Sequence, residues 1–174
     1  MRPNSVPAFS DLVKECHRSA VHLELRDAYS VASEADDFAE WQACGRITPE
    51  SVKRRRSWLD LVRSTVARGV EVRRARVVSL PASEYIRYEH AGTYLNVEAG
   101  EKVRWLPRRH AATLALPGAD FWLLDDRLIR FGHFSGEGAS AGHELCDDPA
   151  VVKLCAEAFD AVWQRATPHE EFAV

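Results

Sequence analysis

The chain has 174 residues, a formal net charge of −3 and an ordinary globular composition, with 46% apolar and 28% charged residues. These values exclude an intrinsically disordered chain, a collagen-like chain and a disulfide-rich mini-protein. The net charge also gives the chain no overall attraction to nucleic acid or to an anionic membrane. We expect a single domain, residues 1–174, that is long enough to bury a core without disulfide or metal staples.

Hydrophobic spacing predicts that residues 1–69 form a mainly helical part. Its clearest helix has Thr48 as a plausible N-cap, Pro49 at the first helical position and Gly69 as the C-terminal stop. The elements predicted here are a helix over 9–17, a strand over 20–26, a helix over 34–44 and a helix from Pro49 to Gly69.

Residues 70–174 have the pattern of a mixed sheet with helices. The predicted elements are strands over 70–79 and 102–106, a helix over 84–97, a hairpin of strands 121–124 and 128–134, a loop over 135–142, a short strand over 144–146 and a last helix from Pro149 to before Pro168. This order predicts an α/β domain, with α+β as the alternative, in which one mixed β-sheet is flanked by helices.

Charge is distributed unevenly along the chain. Residues 46–76 contain ten basic and three acidic residues, whereas residues 111–174 contain four basic and eleven acidic residues. The basic segment 53–76 would suit contacts to phosphates. Because the whole chain is acidic and aromatic residues are not interleaved with the basic ones, we favour a solvated or partner-facing helix face over direct nucleic-acid binding.

The cysteines and the absence of long apolar stretches bear on the compartment. The four cysteines form no CxxC pair, no apolar stretch of signal-peptide length lies near the N-terminus, and no window approaches the ~20 apolar residues that span a bilayer. We expect a cytoplasmic protein with reduced thiols and no membrane partner.

Motifs for catalysis or cofactor binding are incomplete. A GxSxG pattern occurs at 138–142, within the glycine-rich loop expected over 135–142 and not between a strand and a helix as in a nucleophile elbow, and the chain contains no GxxxxGK[ST] loop and no GxGxxG loop. His133, His143, Cys146 and Cys155 include only one close pair, whereas a structural zinc site needs two. We therefore expect no metal site and no cofactor.

The most distinctive segment runs from Arg74 to Trp105 and combines clustered arginines with glutamates. Such a cluster predicts either a buried ion network or a pocket for an anion, and both alternatives stay open. With two residues from the C-terminal half added, the candidate residues for binding a ligand or partner are Arg74, Arg76, Tyr85, Arg87, Glu89, Arg104, Trp105, Asp120 and His133.

Six runs that occur in order along nearly the whole chain resemble one family. They are HLELRDAYS, RARVVSLPASEYIRYE, NVEAGEKVRWLPR, LPGADFWLLDD, RFGHFSGEG and AFDAVWQRATPHEEF. The family consists of actinobacterial proteins of about this length and is defined only as a domain of unknown function. Its members are typically encoded beside helix-turn-helix regulators, so the resemblance implies such a regulator as a partner and brings no catalytic residues.

The C-terminal half is also similar in layout to phospholipase-D-like domains, in which a strand bearing HxKxxxxD precedes a hairpin and a last helix. When the signature's Asp is placed on Asp125, its His falls on Gly118 and its Lys on Asp120. No HxK occurs anywhere in the chain. The resemblance therefore implies a degenerate phospholipase-D-like half that binds or senses rather than cleaving phosphodiesters.

These observations lead to three hypotheses for function. The first is a non-enzymatic regulatory or binding module that acts with a helix-turn-helix transcription regulator and senses a small anionic ligand, with a homodimer as one assembly to test. The second is an enzyme on a nucleotide or other phosphate-containing substrate, using His133 with Asp125 or Glu89. The third is nucleic-acid binding through residues 53–76.

Overall fold

A seven-stranded mixed sheet forms the centre of the computed structural model, which describes residues 6–174. The strands are β1 (Ser19–Glu24), β2 (Glu71–Val78), β3 (Lys102–Pro107), β4 (Asp120–Leu124), β5 (Leu128–Phe134), β6 (Ser140–Cys146) and β7 (Thr167–Pro168). The helices are α1 (Phe9–Lys14), α2 (Ala35–Cys44), α3 (Pro49–Ala67), α4 (Glu84–Glu98), α5 (Arg108–Ala111) and α6 (Pro149–Arg165).

The strands lie in the order β6-β5-β4-β1-β2-β3-β7. β1, β2 and β3 are parallel neighbours, whereas β4, β5 and β6 follow as antiparallel strands on the other side of β1. The predicted mixed sheet flanked by helices is thus confirmed. β1 comes from residues 1–69 and pairs with β2 and β4 from residues 70–174, so both parts of the chain build the same sheet.

The two faces of the sheet carry different cores. On one face, Val21 and Leu23 of β1 pack with Cys155, Phe159 and Val162 of α6. The alternate residues of β1 point to the opposite face. That face is covered by α1, α3 and α4, and the buried ion pairs of Arg74 and Arg76 lie there.

Helix capping follows the sequence signals. The Thr48 hydroxyl accepts a hydrogen bond from the backbone N–H of Ser51 at 3.1 Å, and Pro49 is the first residue of α3. Gly69 follows α3 with a φ of +87°, a conformation that glycine adopts without a Cβ penalty. α6 begins in the same way, with the Asp148 side chain accepting from the N–H of Ala150.

Three elements differ from the sequence-based expectation. β6 begins at Ser140 and pairs along β5, where we expected a loop followed by a short strand over 144–146. β6 is an exposed edge strand, so its residues lack the apolar alternation that marks a buried strand. The four-residue helix α5 and the two-residue strand β7, which pairs with β3, are too short to produce a periodic pattern. Among the described residues, no helix is both long enough and apolar enough to cross a membrane.

The turn between β4 and β5 anchors the start of β1. Asp125 and Asp126 have φ values of 52° and 54°, the sign that a type I′ turn requires at both positions. The Asp125 carboxylate accepts hydrogen bonds from the backbone N–H groups of His17, Arg18 and Ser19 at 2.8–2.9 Å. The hairpin turn therefore caps the chain segment that leads into the central strand.

We predict that Asp125→Asn lowers the free energy of unfolding by about 2 kcal/mol, because hydrogen bonds to a charged acceptor are replaced by bonds to a neutral amide. Asp126→Asn is the matched control, since Asp126 lies in the same turn but is exposed and Asn tolerates positive φ. Urea denaturation at pH 7 measures both changes. Equal effects of the two substitutions would show that the carboxylate of Asp125 does not anchor β1.

Candidate functional site

A cavity of about 170 Å³ lies on the face of the sheet that α1, α3 and α4 cover. Its floor is formed by residues of β1, β2, β4, β5 and β6, and its walls by the segment after β1 and by α4. The volume is below the ~300 Å³ at which pockets for drug-sized molecules begin, so the cavity suits a small metabolite.

A buried ion network lies along one side of this cavity. The guanidinium of Arg74 donates to Glu101 at 2.7 Å and to Glu24 at 2.9 Å. Arg76 donates to the second carboxylate oxygen of Glu24 at 2.5 Å and forms a salt bridge with Glu89 at 2.5 Å. Arg74 and Arg76 are only 7% and 5% exposed. Each guanidinium is therefore already paired with two carboxylates, and Nη1 of Arg76 is the one buried guanidinium nitrogen of this pair of arginines that has no hydrogen-bond partner among the described residues.

The sheet register explains why these charges meet. Glu24 of β1 is paired with Arg76 of β2, and His22 with Arg74, so their side chains emerge side by side on one face. Burial alone would raise the pKa of Glu24, but the positive charges of Arg76 and Arg74 outweigh it and lower the pKa to about 2. Glu24 is thus ionised at neutral pH and shared by two arginines.

Two further carboxylates line the cavity without a cation beside them. The Tyr85 hydroxyl donates to Glu34 at 2.6 Å, and the Tyr29 hydroxyl donates to Asp120. Burial, reinforced by the nearby charge of Glu89, raises the pKa of Glu34 to about 7. Burial likewise raises the pKa of Asp120 to about 6. Within residues 6–174, neither carboxylate forms a salt bridge.

Basic side chains line the cavity on the side of the antiparallel strands. His22 stacks on Trp122 with ring centroids 4.3 Å apart, and burial lowers its pKa to about 3, so the imidazole is neutral. Arg130 of β5 has a buried Nε without a hydrogen-bond partner, and no carboxylate in the described part of the chain forms a salt bridge with it. Burial also lowers the pKa of His143 on the neighbouring strand β6.

The structure brings together five of the nine candidate residues predicted from sequence. Arg74, Tyr85, Glu89 and Asp120 line the main cavity, and Arg76 lines a small recess that shares Glu24, Tyr29 and Glu89 with it. A sixth candidate, Trp105, is fully buried against the guanidinium of Arg76, whose Cζ lies 4.9 Å from the ring centroid.

The other three candidates lie elsewhere. Arg87 is exposed on α4, where it donates to the carbonyl of Ala82 at 3.2 Å. Arg104 stacks on Trp163 and donates to its carbonyl, near the β7 edge of the sheet. His133 is exposed and contacts Glu144 at 3.2 Å.

His133 does not meet either proposed catalytic partner. It follows Phe131 by two positions on β5 and therefore points to the α6 face of the sheet, opposite the cavity that Glu89 lines. Asp125 lies at the far end of β5 and is occupied by backbone N–H groups. The geometry thus offers no support for an enzyme built on these three residues.

Most basic residues of the segment 53–76 form ion pairs with acidic residues of the same chain. The arginines of its first turn contact acidic residues of α2, and the ion pairs in the segment are Lys53–Glu50, Arg54–Asp37, Arg54–Glu40, Arg55–Asp37, Arg63–Asp60 and Arg73–Glu71. Arg74 and Arg76 belong to the buried network. The local excess of positive charge therefore does not form a free phosphate-binding stripe.

Several lining residues were not among the sequence-based candidates: His22, Glu24, Tyr29, Glu34, Trp122, Arg130 and His143. His22 and Glu24 had a usable signal, because the alternation over 20–26 places them together on the polar side of a strand. Arg130 and His143 had none, since their role depends on how β5 and β6 pair.

Comparisons with solved structures define the fold as phospholipase-D-like. Nuc, a phospholipase D family member from Salmonella typhimurium, superimposes with a TM-score of 0.51 at 12% identity, covering 91% of this chain and 86% of that one. NucT from Helicobacter pylori superimposes with a TM-score of 0.50 at 10% identity, covering 91% and 87%. At such identities the similarity concerns the fold alone.

The sequence profile described as a domain of unknown function, DUF6879, matches residues 7–174. The chain belongs to this family, as the six sequence runs predicted. No curated protein sequence matches the chain significantly.

We predict that Glu24→Gln lowers the free energy of unfolding by about 3 kcal/mol at pH 7, because it leaves two buried guanidiniums without their shared carboxylate. The lowered pKa means that the carboxylate stabilises the fold fully above about pH 4.5 and loses this effect as the pH falls towards 2. The difference between the wild type and the variant should therefore shrink over that window in denaturant titrations.

Glu71→Gln is the matched control, because Glu71 pairs with Lys102 and Arg73 at the surface with 43% of its side chain exposed. Its loss should cost less than about 1 kcal/mol. A cost for Glu24→Gln as small as that for Glu71→Gln would mean that the network contributes no more than a surface ion pair.

Proposed function

We propose that this protein is a non-enzymatic binding module whose cavity holds a small ligand with an anionic group and whose surface engages a helix-turn-helix transcription regulator. The first part of this proposal rests on which residues line the cavity. Asp120 lines it, and when the phospholipase D signature is placed with its Asp on Asp125, Asp120 stands at the position of the lysine and Gly118 at that of the histidine nucleophile.

The hydrogen bonding and ion pairing of the basic groups support ligand binding rather than catalysis. A general base needs a partner that orients its ring. The Nδ1 of His22 is buried without a hydrogen-bond partner, and the ring is held by stacking on Trp122. Arg74 and Arg76 are already matched by carboxylates, so Arg130 is the lining arginine that remains to meet an anionic group on a ligand.

The regulator partner is proposed from the family resemblance. The proposed setting is the cytoplasm of a high-GC Gram-positive bacterium, and the 19 arginines against four lysines are in keeping with such a genome. Among the candidate residues, Arg87 is the exposed one on α4, and it lies about half a turn from the cavity-lining residues Tyr85 and Glu89. A partner bound over the outer side of α4 would contact the helix that forms one wall of the ligand site.

We predict that a helix-turn-helix regulator is encoded beside the gene and forms a complex with this protein when the two are co-expressed, and that Arg87→Ala weakens the complex at least about tenfold. An arginine at the centre of an interface commonly contributes more than the 1.4 kcal/mol that corresponds to this factor. Affinity capture followed by calorimetry of the purified pair measures the effect.

Arg127→Ala is the matched control, since Arg127 is also exposed but lies on the β4–β5 turn. If the wild-type protein forms no complex, the regulator is not its partner. If both alanine variants weaken the complex equally, the interface does not lie on α4.

A further inference from the structure

The cavity contains unmatched charges of both signs. Arg130 provides a half-buried guanidinium whose Cζ lies 5.7 Å from the ring centroid of Phe9, and among the described residues it has no carboxylate partner and its buried Nε donates to nothing. Glu34 and Asp120 provide two carboxylates whose only side-chain partners are tyrosine hydroxyls. Every other charged group that lines the cavity is paired within the ion network.

A buried charge without a partner is costly, and a bound counter-charge removes the cost. A simple anion would match Arg130 but would add negative charge beside Glu34 and Asp120. A simple cation would match the carboxylates and leave Arg130 unpaired. A ligand that carries both charges matches all three groups at once.

From this juxtaposition we propose that the cavity binds a small zwitterion, an amino carboxylate, whose carboxylate pairs with Arg130 and whose ammonium group pairs with Asp120 and Glu34. This inference rests on the proposed ligand-binding function and names its ligand class. Burial raises the pKa of both carboxylates, so a bound ammonium group would also stabilise their ionised forms.

The surroundings of these groups fit a charged ligand of this size. Trp122 of β4 is paired with Arg130 on β5 and with His22 on β1, and Asp120 precedes Trp122 by two residues on the same strand. Because neighbouring strands are ~4.8 Å apart, the floor of the cavity extends about 10 Å from β5 to β1. The neutral rings of His22 and Trp122 form an uncharged surface along which a short methylene chain can lie.

The test is a titration of the purified full chain with amino carboxylates of graded length, from glycine through 3-aminopropanoate and 4-aminobutanoate to 6-aminohexanoate. Isothermal calorimetry gives the dissociation constants, and thermal melting gives the stabilisation. For each length, the carboxylate and the amine with the same number of carbons, such as butanoate and butylamine, are the single-charge controls. We expect one length to bind at least tenfold more tightly than either of its controls.

Arg130→Gln tests recognition of the ligand's carboxylate separately from recognition of its ammonium group. This variant should weaken the best amino carboxylate at least tenfold, and it should raise the melting temperature of the unliganded protein because it removes an unmatched charge. Glu34→Gln should weaken the same ligand while leaving the weak binding of butanoate unchanged. Arg127→Gln, an exposed arginine of the same hairpin, should alter none of these values.

Carboxylates that bind as tightly as the amino carboxylates of equal length would overturn the inference in favour of a plain anion site. It is also overturned if no probe saturates, or if Arg130→Gln binds the best probe as the wild type does. The regulator complex is measured without any of these probes. Failure of the titration therefore leaves the partner proposal standing, and failure of the complex leaves the ligand class standing.

Discussion

The carboxylate of Glu24, placed between two buried guanidiniums, is the interaction on which the rest of the polar face depends. Burying Arg74 and Arg76 would be prohibitive without nearby negative charge. Glu24 forms salt bridges with both arginines. Glu101 also pairs with Arg74, and Glu89 also pairs with Arg76. The parallel pairing of β1 and β2 brings these side chains together, so the network and the central strands stabilise one another.

This network also determines what the cavity can bind. A ligand entering it does not meet the five side chains of the network as free charges, since each of them is paired with an opposite charge. The groups that remain are Arg130 on the sheet and the carboxylates of Glu34 and Asp120. In this chain the phospholipase-D-like sheet thus carries a polar cavity that is lined by an ion network and a stacked His22–Trp122 pair.

Much of the fold could be predicted from the sequence because local signals agree with the tertiary structure. Thr48, Pro49 and Gly69 delimit α3, and the double-aspartate turn joins β4 to β5 as expected. Only residues 144–146 of the edge strand β6 were recognised as a strand, since both faces of β6 are largely exposed. The candidate site was partly predictable: clustered arginines and glutamates indicated a polar cluster. Which charges pair and which stay unmatched depends on strand register, and for this reason Arg130 was not identified.

The most direct test of this account is a double-mutant cycle on Glu24 and Arg76, using Glu24→Gln, Arg76→Met and the combined variant. Chemical denaturation of the four proteins at pH 7 gives the coupling free energy between the two side chains. A buried pair that holds the polar face together predicts a coupling of about 2 kcal/mol or more. A coupling near zero would contradict the account, because the two charges would then contribute to the fold independently of each other.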